Sequence, residues 1–210
     1  MRFVAFRKRL ILYNLGGEEK NMFDQDAFWK RYVGLRDPEA VTALESCSYI
    51  RNVEKGEKII REGDIVTEVA FIISGVLKAV YIDQYGKEKV YCFGYIPGEA
   101  AISVTHLGIG IKSICTVEAI SESVVLCVPM TCLIKLTKDN LDVARIYNKM
   151  LSISLKKVIE HNRILSDYEV QERYQWFLET YPGLFELVRK KDVASFLGMT
   201  PESLSRVLKA

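Results

Sequence analysis

Apolar and polar positions change their period twice along the chain. Over residues 23–35 the apolar side chains fall at Phe23, Ala27, Phe28 and Val33 among charges, a short helical pattern. A second helix is expected over residues 38–44, with Asp37 as its cap and Pro38 in its first turn. Between Ser48 and Pro129 the period drops to two. Short β-branched and aromatic runs occupy residues 48–53, 58–61, 69–74, 76–82, 87–95, 113–119 and 123–128, punctuated by Gly56, Gly63-Asp64, Gly75, Gly86 and Pro97-Gly98. Strands of this length and spacing predict an antiparallel barrel or jelly roll of about eighty residues.

After Pro129 no glycine occurs until Gly183, and helical spacing takes over. Leu151, Leu155, Val158, Asn162 and Leu165 are separated by 4, 3, 4 and 3 residues, a heptad seam, with Ile146, Met150 and Ile153 on an adjoining stripe. A helix over about residues 140–166 follows. Beside a small barrel it carries more apolar surface than one domain covers, so the seam is read as a dimer interface in which Asn162 sets register. The alternative is that this face packs on its own barrel. Asp167 is expected to cap a further helix over residues 168–180, stopped by Tyr181-Pro182-Gly183.

The last twenty residues carry a helix-turn-helix pattern. Ala194 is the small residue where two helices approach, Gly198 suits a turn needing positive φ, and Thr200 and Pro201 are a natural N-cap and first helical residue. Val193, Leu197, Met199, Leu204, Val207 and Leu208 fill a small core, which leaves Glu202, Ser203, Ser205 and Arg206 facing outward. A glutamate accepts from cytosine N4 and an arginine bonds guanine O6 and N7 bidentately, so this face is suited to reading base edges. Residues 189–209 hold five positive and two negative charges, a local phosphate-contacting surface. The expected DNA contacts are Lys190, Lys191, Thr200, Pro201, Glu202, Ser203, Ser205, Arg206 and Lys209. A surface Glu202–Arg206 ion pair on a helical hairpin that does not touch DNA is the alternative.

Composition narrows the function classes. The 210 residues carry 29 Lys+Arg and 27 Asp+Glu, so a uniformly basic coat is excluded and any nucleic-acid surface is local. The five cysteines, Cys47, Cys92, Cys115, Cys127 and Cys132, form an odd set without C-x-x-C spacing. Neither structural zinc nor a disulfide framework is expected from them, and apolar strand positions predict buried, inert thiols in a reducing compartment. No run reaches the roughly 18 apolar residues of a membrane span, and cations at Arg7, Lys8 and Arg9 interrupt the apolar start, so a cytoplasmic protein without a secretory signal is expected. Residues 1–21 hold five positive and two negative charges. They read as an extension upstream of a start at Met22, or as a short basic helix on the domain. Phosphate-loop, zinc-protease and nucleophile-elbow motifs are missing, so no enzyme is expected.

With barrel, long helix and helix-turn-helix in that order, the chain resembles the cyclic AMP receptor and FNR (Crp/Fnr) family of bacterial transcription regulators. The resemblance rests on Gly56-Glu57-x-Ile59, Glu62-Gly63-Asp64, Phe71-Ile72-x-x-Gly75, Pro97-Gly98-Glu99 and Glu202-Ser203-Leu204-Ser205-Arg206. It implies an α+β architecture: an N-terminal extension (residues 1–21), a cyclic-nucleotide-binding-like β-barrel sensor with N-terminal helices (22–136), a long dimerisation helix (137–166) and a helix-turn-helix unit (167–210). It also implies a homodimer that binds a near-palindromic double-stranded operator and answers a small-molecule effector, with RNA polymerase as a further partner.

The resemblance places effector contacts at Gly98, Glu99, Lys112 and Ser113. Nucleotide-binding members carry an Arg-Ser or Arg-Thr pair for the cyclic phosphate. Here Ser113 and Ile114 stand in those slots, or Lys112-Ser113 after a one-residue slip, and lysine lacks the bidentate fork. Val158 and Ile159 replace a polar pair that meets the base. Cyclic AMP is therefore disfavoured and the effector left unassigned. Residues 108–112 form either a backbone anion nest or a hairpin loop. The N-terminal cysteine cluster of FNR-like iron-sulfur sensors is missing, and the only histidines, His106 and His161, are read as structural, so neither an iron-sulfur nor a haem motif is expected. A wing after the recognition helix is either naturally missing or truncated. A nucleotide-binding module without DNA affinity is the alternative function.

Overall fold

The computed structural model describes residues 23–101 and 108–209. The proposed extension, the choice between Met1 and Met22, and His106 lie outside the described residues.

All seven anticipated strands form. They are β1 Tyr49–Val53, β2 Lys58–Ile60, β3 Glu68–Ser74, β4 Leu77–Ile82, β5 Glu88–Gly94, β6 Thr116–Ala119 and β7 Ser123–Pro129. Two antiparallel sheets result, ordered β1-β7-β3 and β2-β6-β4-β5. Register is carried by pairs such as Ile72↔Val125 and Ala79↔Val117. The turn into β4 depends on Gly75, whose φ is 94° and whose added Cβ would sit 2.6 Å from the Ser123 backbone.

Helices close the barrel. The predicted N-terminal helix begins as α1 Gln25–Phe28, capped by the Asp24 side chain, then widens into a π-helical turn, Trp29–Val33, that ends at left-handed Gly34. Helix α2, Pro38–Cys47, starts as expected, with the Asp37 carboxylate accepting from Glu39 N. Two helices follow the barrel. Helix α3 is Met130–Asp139 and α4 is the long helix, Leu141–Asp167, divided from α3 by Asn140, whose side chain caps α4. Asp142 Oδ2 accepts from the backbone N–H of Arg36 and Asp37, and Asn140 Nδ2 donates to Asp37 Oδ2 at 2.6 Å, so the foot of α4 is tied to the start of α2.

Two expectations are corrected here. Asp167 does not cap the next helix: it lies in the last turn of α4, and α5, Val170–Thr180, is opened by a reciprocal capping box between Glu169 and Glu172. The cysteines are not all free thiols. Cys47, at the end of α2, is bonded to Cys132, in the first turn of α3, with Cα atoms 6.7 Å apart. Their 85-residue separation hid the pairing, because connectivity follows from three-dimensional proximity and not from spacing.

One apolar cluster fills the barrel and reaches Phe28, Trp29, Leu44, Leu133 and Val143 on the surrounding helices. A second joins Val76, Val80, Val90 and Phe93 of the β4–β5 region to Phe177, Leu184, Phe196 and Leu204 of the C-terminal helices. Strand β4 therefore departs from alternation: Leu77, Lys78, Ala79 and Val80 are all buried, because the C-terminal unit covers its outer face.

Candidate DNA-reading helix and sensor cavity

The C-terminal unit is built as its sequence predicts. Helix α6, Lys190–Phe196, leads through a turn to α7, Pro201–Val207. Gly198 takes φ 64°, and an added Cβ would meet Leu165 at 3.1 Å. Thr200 caps α7 by accepting from Ser203 N at 3.1 Å, Pro201 opens it, and Leu204 is fully buried beneath it. Glu202, Ser205, Arg206 and Lys209 are exposed, as are Lys190, Lys191, Thr200 and Pro201, while Ser203 is half-buried. Hydrogen bonds from its own backbone amide and from the Thr200 hydroxyl hold the Glu202 carboxyl below the usual range, with Arg206 adding charge attraction. At neutral pH the outward face of α7 thus presents an anion and a cation one turn apart.

This unit docks on the barrel through polar as well as apolar contacts. Ser195 Oγ accepts from Val90 N at 3.0 Å. Lys78, 2% exposed, lies 3.7 Å from the carboxylate of Asp192, 3% exposed, and donates to Glu88 at 2.9 Å. Arg189 donates to Asp192 from the solvent side at 2.8 Å. From α4, His161 stacks on Phe196 with ring centroids 4.1 Å apart, and its Nε2 lies 2.8 Å from the Phe196 carbonyl. Burial lowers the His161 pKa, so the ring is neutral at neutral pH and Nε2–H donates to that carbonyl. Neither Lys78 nor Asp192 was singled out by sequence, and His161 was named only as a histidine. Lys78 and Asp192 lie 114 residues apart and His161 lies 35 from Phe196, and Lys78 stands in a strand whose alternation predicts exposure.

The barrel opens beneath α4 into a cavity of about 310 Å³, lined by apolar side chains that include Trp29, Tyr32, Phe71 and Met150. Gly98 and Glu99 are in its wall. Gly98 has φ 86°, and an added Cβ would lie 2.7 Å from the Tyr32 carbonyl oxygen, so only glycine lets this turn back against the π-helical segment. Glu99 forms an ion pair with Lys157 of α4, a partner the sequence reading did not include. Lys112 and Ser113 are not in this wall. Lys112 is exposed and paired with Ile65 in an isolated bridge, and Ser113 Oγ donates to the Cys115 carbonyl at 2.7 Å. The four anticipated effector residues thus fall into two groups.

The heptad seam is similarly divided. Leu151 and Val158 line the cavity, and Val158, Asn162 and Leu165 border a second hollow of about 500 Å³ between β5, α4 and α6. Leu155 remains 61% exposed and neighbouring Ile159 58%. Three thiols are free. Burial pushes Cys92 and Cys127 up to about 12 and raises Cys115, which leaves them poor nucleophiles. Among the described residues no group of three or more His, Cys, Asp or Glu side chains could hold a metal ion, and no helix is long and apolar enough to cross a membrane.

Comparisons with known proteins agree with this geometry. The cyclic nucleotide-binding domain family matches residues 50–140. FixK2 from Bradyrhizobium japonicum superposes with a TM-score of 0.69 at 22% identity, over 77% of this chain and 83% of that one. The c-di-GMP-responsive global regulator CLP of Xanthomonas campestris gives 0.65 at 19% identity, over 82% and 90%. A protein from Eubacterium rectale, described as a transcriptional regulator of the Crp/Fnr family, gives 0.65 at 18% identity, over 83% and 82%. No curated protein matches in sequence. Residues 50–140 therefore match the cyclic nucleotide-binding domain family, in a chain that shares the fold of solved proteins that include a regulator described as of the Crp/Fnr family.

Proposed function

We propose that the chain is a homodimeric, effector-responsive, sequence-specific DNA-binding transcriptional regulator of the Crp/Fnr type, working in the cytoplasm without enzymatic activity. The observation that carries this reading is α7: a Thr200-capped, Pro201-opened helix anchored by Leu204, with Glu202, Ser205 and Arg206 free to enter a major groove. Lys190, Lys191 and Lys209 supply phosphate contacts around it. The exposed Leu155 and Ile159, continuous with half-buried Leu151 and Val158, form the face on which a second copy packs, setting two recognition helices about 34 to 36 Å apart.

The effector site in this reading is the cavity beneath α4. An occupant that disturbs Glu99 and Lys157 acts on the same helix that carries the dimer face and the His161 contact, and it shifts the population only by binding one arrangement better than the other. Cyclic AMP suits the cavity poorly, because Glu99 is already engaged by a lysine and no arginine lines the wall.

Selection from a random duplex pool, followed by binding measurements on the selected site, tests the proposal. The wild type is expected to select a near-palindrome. Arg206→Ala relaxes preference at one position of each half-site at about 1 to 3 kcal/mol, and Lys190→Ala weakens all duplexes alike. Selection of no sequence at low salt overturns the DNA-binding reading and leaves a nucleotide-binding-like module.

A further inference from the structure

Helix α2 is fastened at both of its ends. At its start, Asp37 accepts from Asn140 Nδ2 and Asp142 holds the Arg36 and Asp37 amides, which ties it to the joint between α3 and α4. At its end, Cys47 is bonded to Cys132 at the start of α3. Helices α2 and α3, ten residues each, therefore run antiparallel, joined by hydrogen bonds at the foot of α4 and by a covalent bond at the opposite end. Only Asn140 separates α3 from α4, so the seating of this helix pair sets the foot of the long helix.

The covalent fastening is also the reachable one. Cys47 and Cys132 are half-buried and each follows an exposed residue, Ser46 and Thr131, whereas burial raises the pKa of the other three thiols. A half-buried disulfide in the reducing compartment proposed above is characteristic of redox sensing. Once reduced, the two sulfurs differ. Cys132 is the third residue of α3, in a first turn that no side chain caps, where backbone N–H groups and the helix dipole favour a thiolate. Cys47 is the last residue of α2, where the dipole has the opposite sign, and the Leu44 carbonyl oxygen 3.6 Å from its Sγ accepts the thiol proton. Cys132 is thus the attacking sulfur and Cys47 the resolving one.

We propose that Cys47 and Cys132 form a reversible redox site, oxidised by hydrogen peroxide and reduced by a dithiol, and that its closure fixes the foot of α4 and strengthens DNA binding. The effect on DNA rests on the regulator reading above, and the site itself does not. The Cys132 thiolate attacks one peroxide oxygen, an S–O bond forms as the O–O bond breaks, and the expelled hydroxide takes a proton from solvent to leave as water. The Cys47 sulfur then attacks the Cys132 sulfenic acid. The S–S bond forms, the S–O bond breaks, and hydroxide departs with the Cys47 proton as a second water, so two electrons pass from the sulfurs to the peroxide. A dithiol reverses the change by thiol–disulfide exchange and leaves as its own disulfide. With the bond closed α2 cannot slide along α3, and α4 meets DNA with part of its ordering entropy already surrendered.

Mass spectrometry, hydrogen exchange and duplex binding on the full chain test it. Dithiothreitol is expected to open the bond in the folded protein, and stoichiometric peroxide to restore it while Cys92, Cys115 and Cys127 stay unmodified. Cys47→Ser should trap the sulfenic acid on Cys132 as a dimedone adduct, whereas Cys132→Ser should leave Cys47 unreacted. Oxidation should slow amide exchange in α2, α3 and the first two turns of α4 by about tenfold. On the duplex selected by the oxidised wild type, the oxidised chain should bind about fivefold more tightly than the reduced one, and peroxide should leave the affinity of the Cys47→Ser, Cys132→Ser double variant unchanged.

A bond that dithiothreitol leaves intact in the folded chain overturns the proposal, as do a dimedone adduct on Cys47 in place of Cys132, exchange that is the same in both states, and equal or weaker duplex binding by the oxidised chain. Failure to select any duplex overturns the regulator reading instead. Bond opening, sulfenic acid trapping and exchange are all read without DNA, so they decide the redox site in that case too.

Discussion

Lys78 and Asp192 stand 3.7 Å apart across the junction between the barrel and the C-terminal unit, and both are withdrawn from solvent. The strand supplies the cation and the first turn of α6 supplies the anion. A buried pair of this kind adds little net stability over an apolar replacement but penalises strongly any state that leaves one charge alone. Asp192→Ala leaves Lys78 only the half-exposed Glu88, so it should cost about 2 kcal/mol and loosen the C-terminal unit, seen as new proteolytic cleavage between residues 167 and 190. Lys78→Met combined with Asp192→Leu should recover most of that loss. Additive effects of the two replacements in urea melts would show that the charges do not act as a pair.

The same junction responds to acid. Burial depresses the His161 pKa below its ordinary value near 6.5, so the folded state favours the neutral ring. As pH falls below about 6.5, the unfolded chain takes up the proton first, and stability present at higher pH is progressively lost as pH approaches the folded pKa. Protonation also adds charge to a hollow that already contains Lys89 and Lys157. The melting temperature should drop between about pH 7.5 and about pH 5.5, and the drop should shrink in His161→Gln. An identical pH profile in the variant would assign the drop to other groups.

Oxidation state has a separate signature. Unfolded without reductant, the chain should titrate three thiols, Cys92, Cys115 and Cys127, and two more after reduction. Cys132→Ser should lower stability by about 2 to 4 kcal/mol under oxidising conditions and far less in reductant, because the bond closes a long loop. Five thiols without reductant would show that the bond does not form.

Caps at α7 give the smallest and most local effects. Thr200→Ala removes the acceptor for Ser203 N and should cost about 1 kcal/mol. Gly198→Ala forces a side chain into positive φ against Leu165 and should cost at least as much. Both should weaken duplex binding without changing which sequence is preferred. A changed preference would mean that Thr200 or the turn reads bases directly.

Features set by local chemistry were legible in the chain. Period-two runs located all seven strands, and the Gly198, Thr200 and Pro201 signals located α6 and α7 within a residue or two, because caps and alternation are decided by neighbours in sequence. What escaped depends on distant segments. Glu99 could be anticipated from its Pro-Gly-Glu turn, but Lys157 looked like an ordinary exposed helix lysine until the fold brought it 58 residues back to that turn. Trp29 was left out of the helical pattern, yet it is buried in the core, and its unpartnered N–H has no trace in the sequence. Lys112 and Ser113 were placed by resemblance, and a loop that pairs with Ile65 and the Gly63-Asp64 turn carries them elsewhere.

Helix α4 runs unbroken from Leu141 to Asp167, past the cavity and on to the C-terminal unit. It is mechanically a lever. From Lys157 to its tip lie ten residues, an arm of roughly 15 Å, so tilting it by about 5° carries the tip through ~1.3 Å. With no joint along the arm to absorb the motion, force applied at the cavity is delivered at the far end. Glu160→Gly, an exposed position between Lys157 and His161, would keep the register of both ends and loosen the transmission between them.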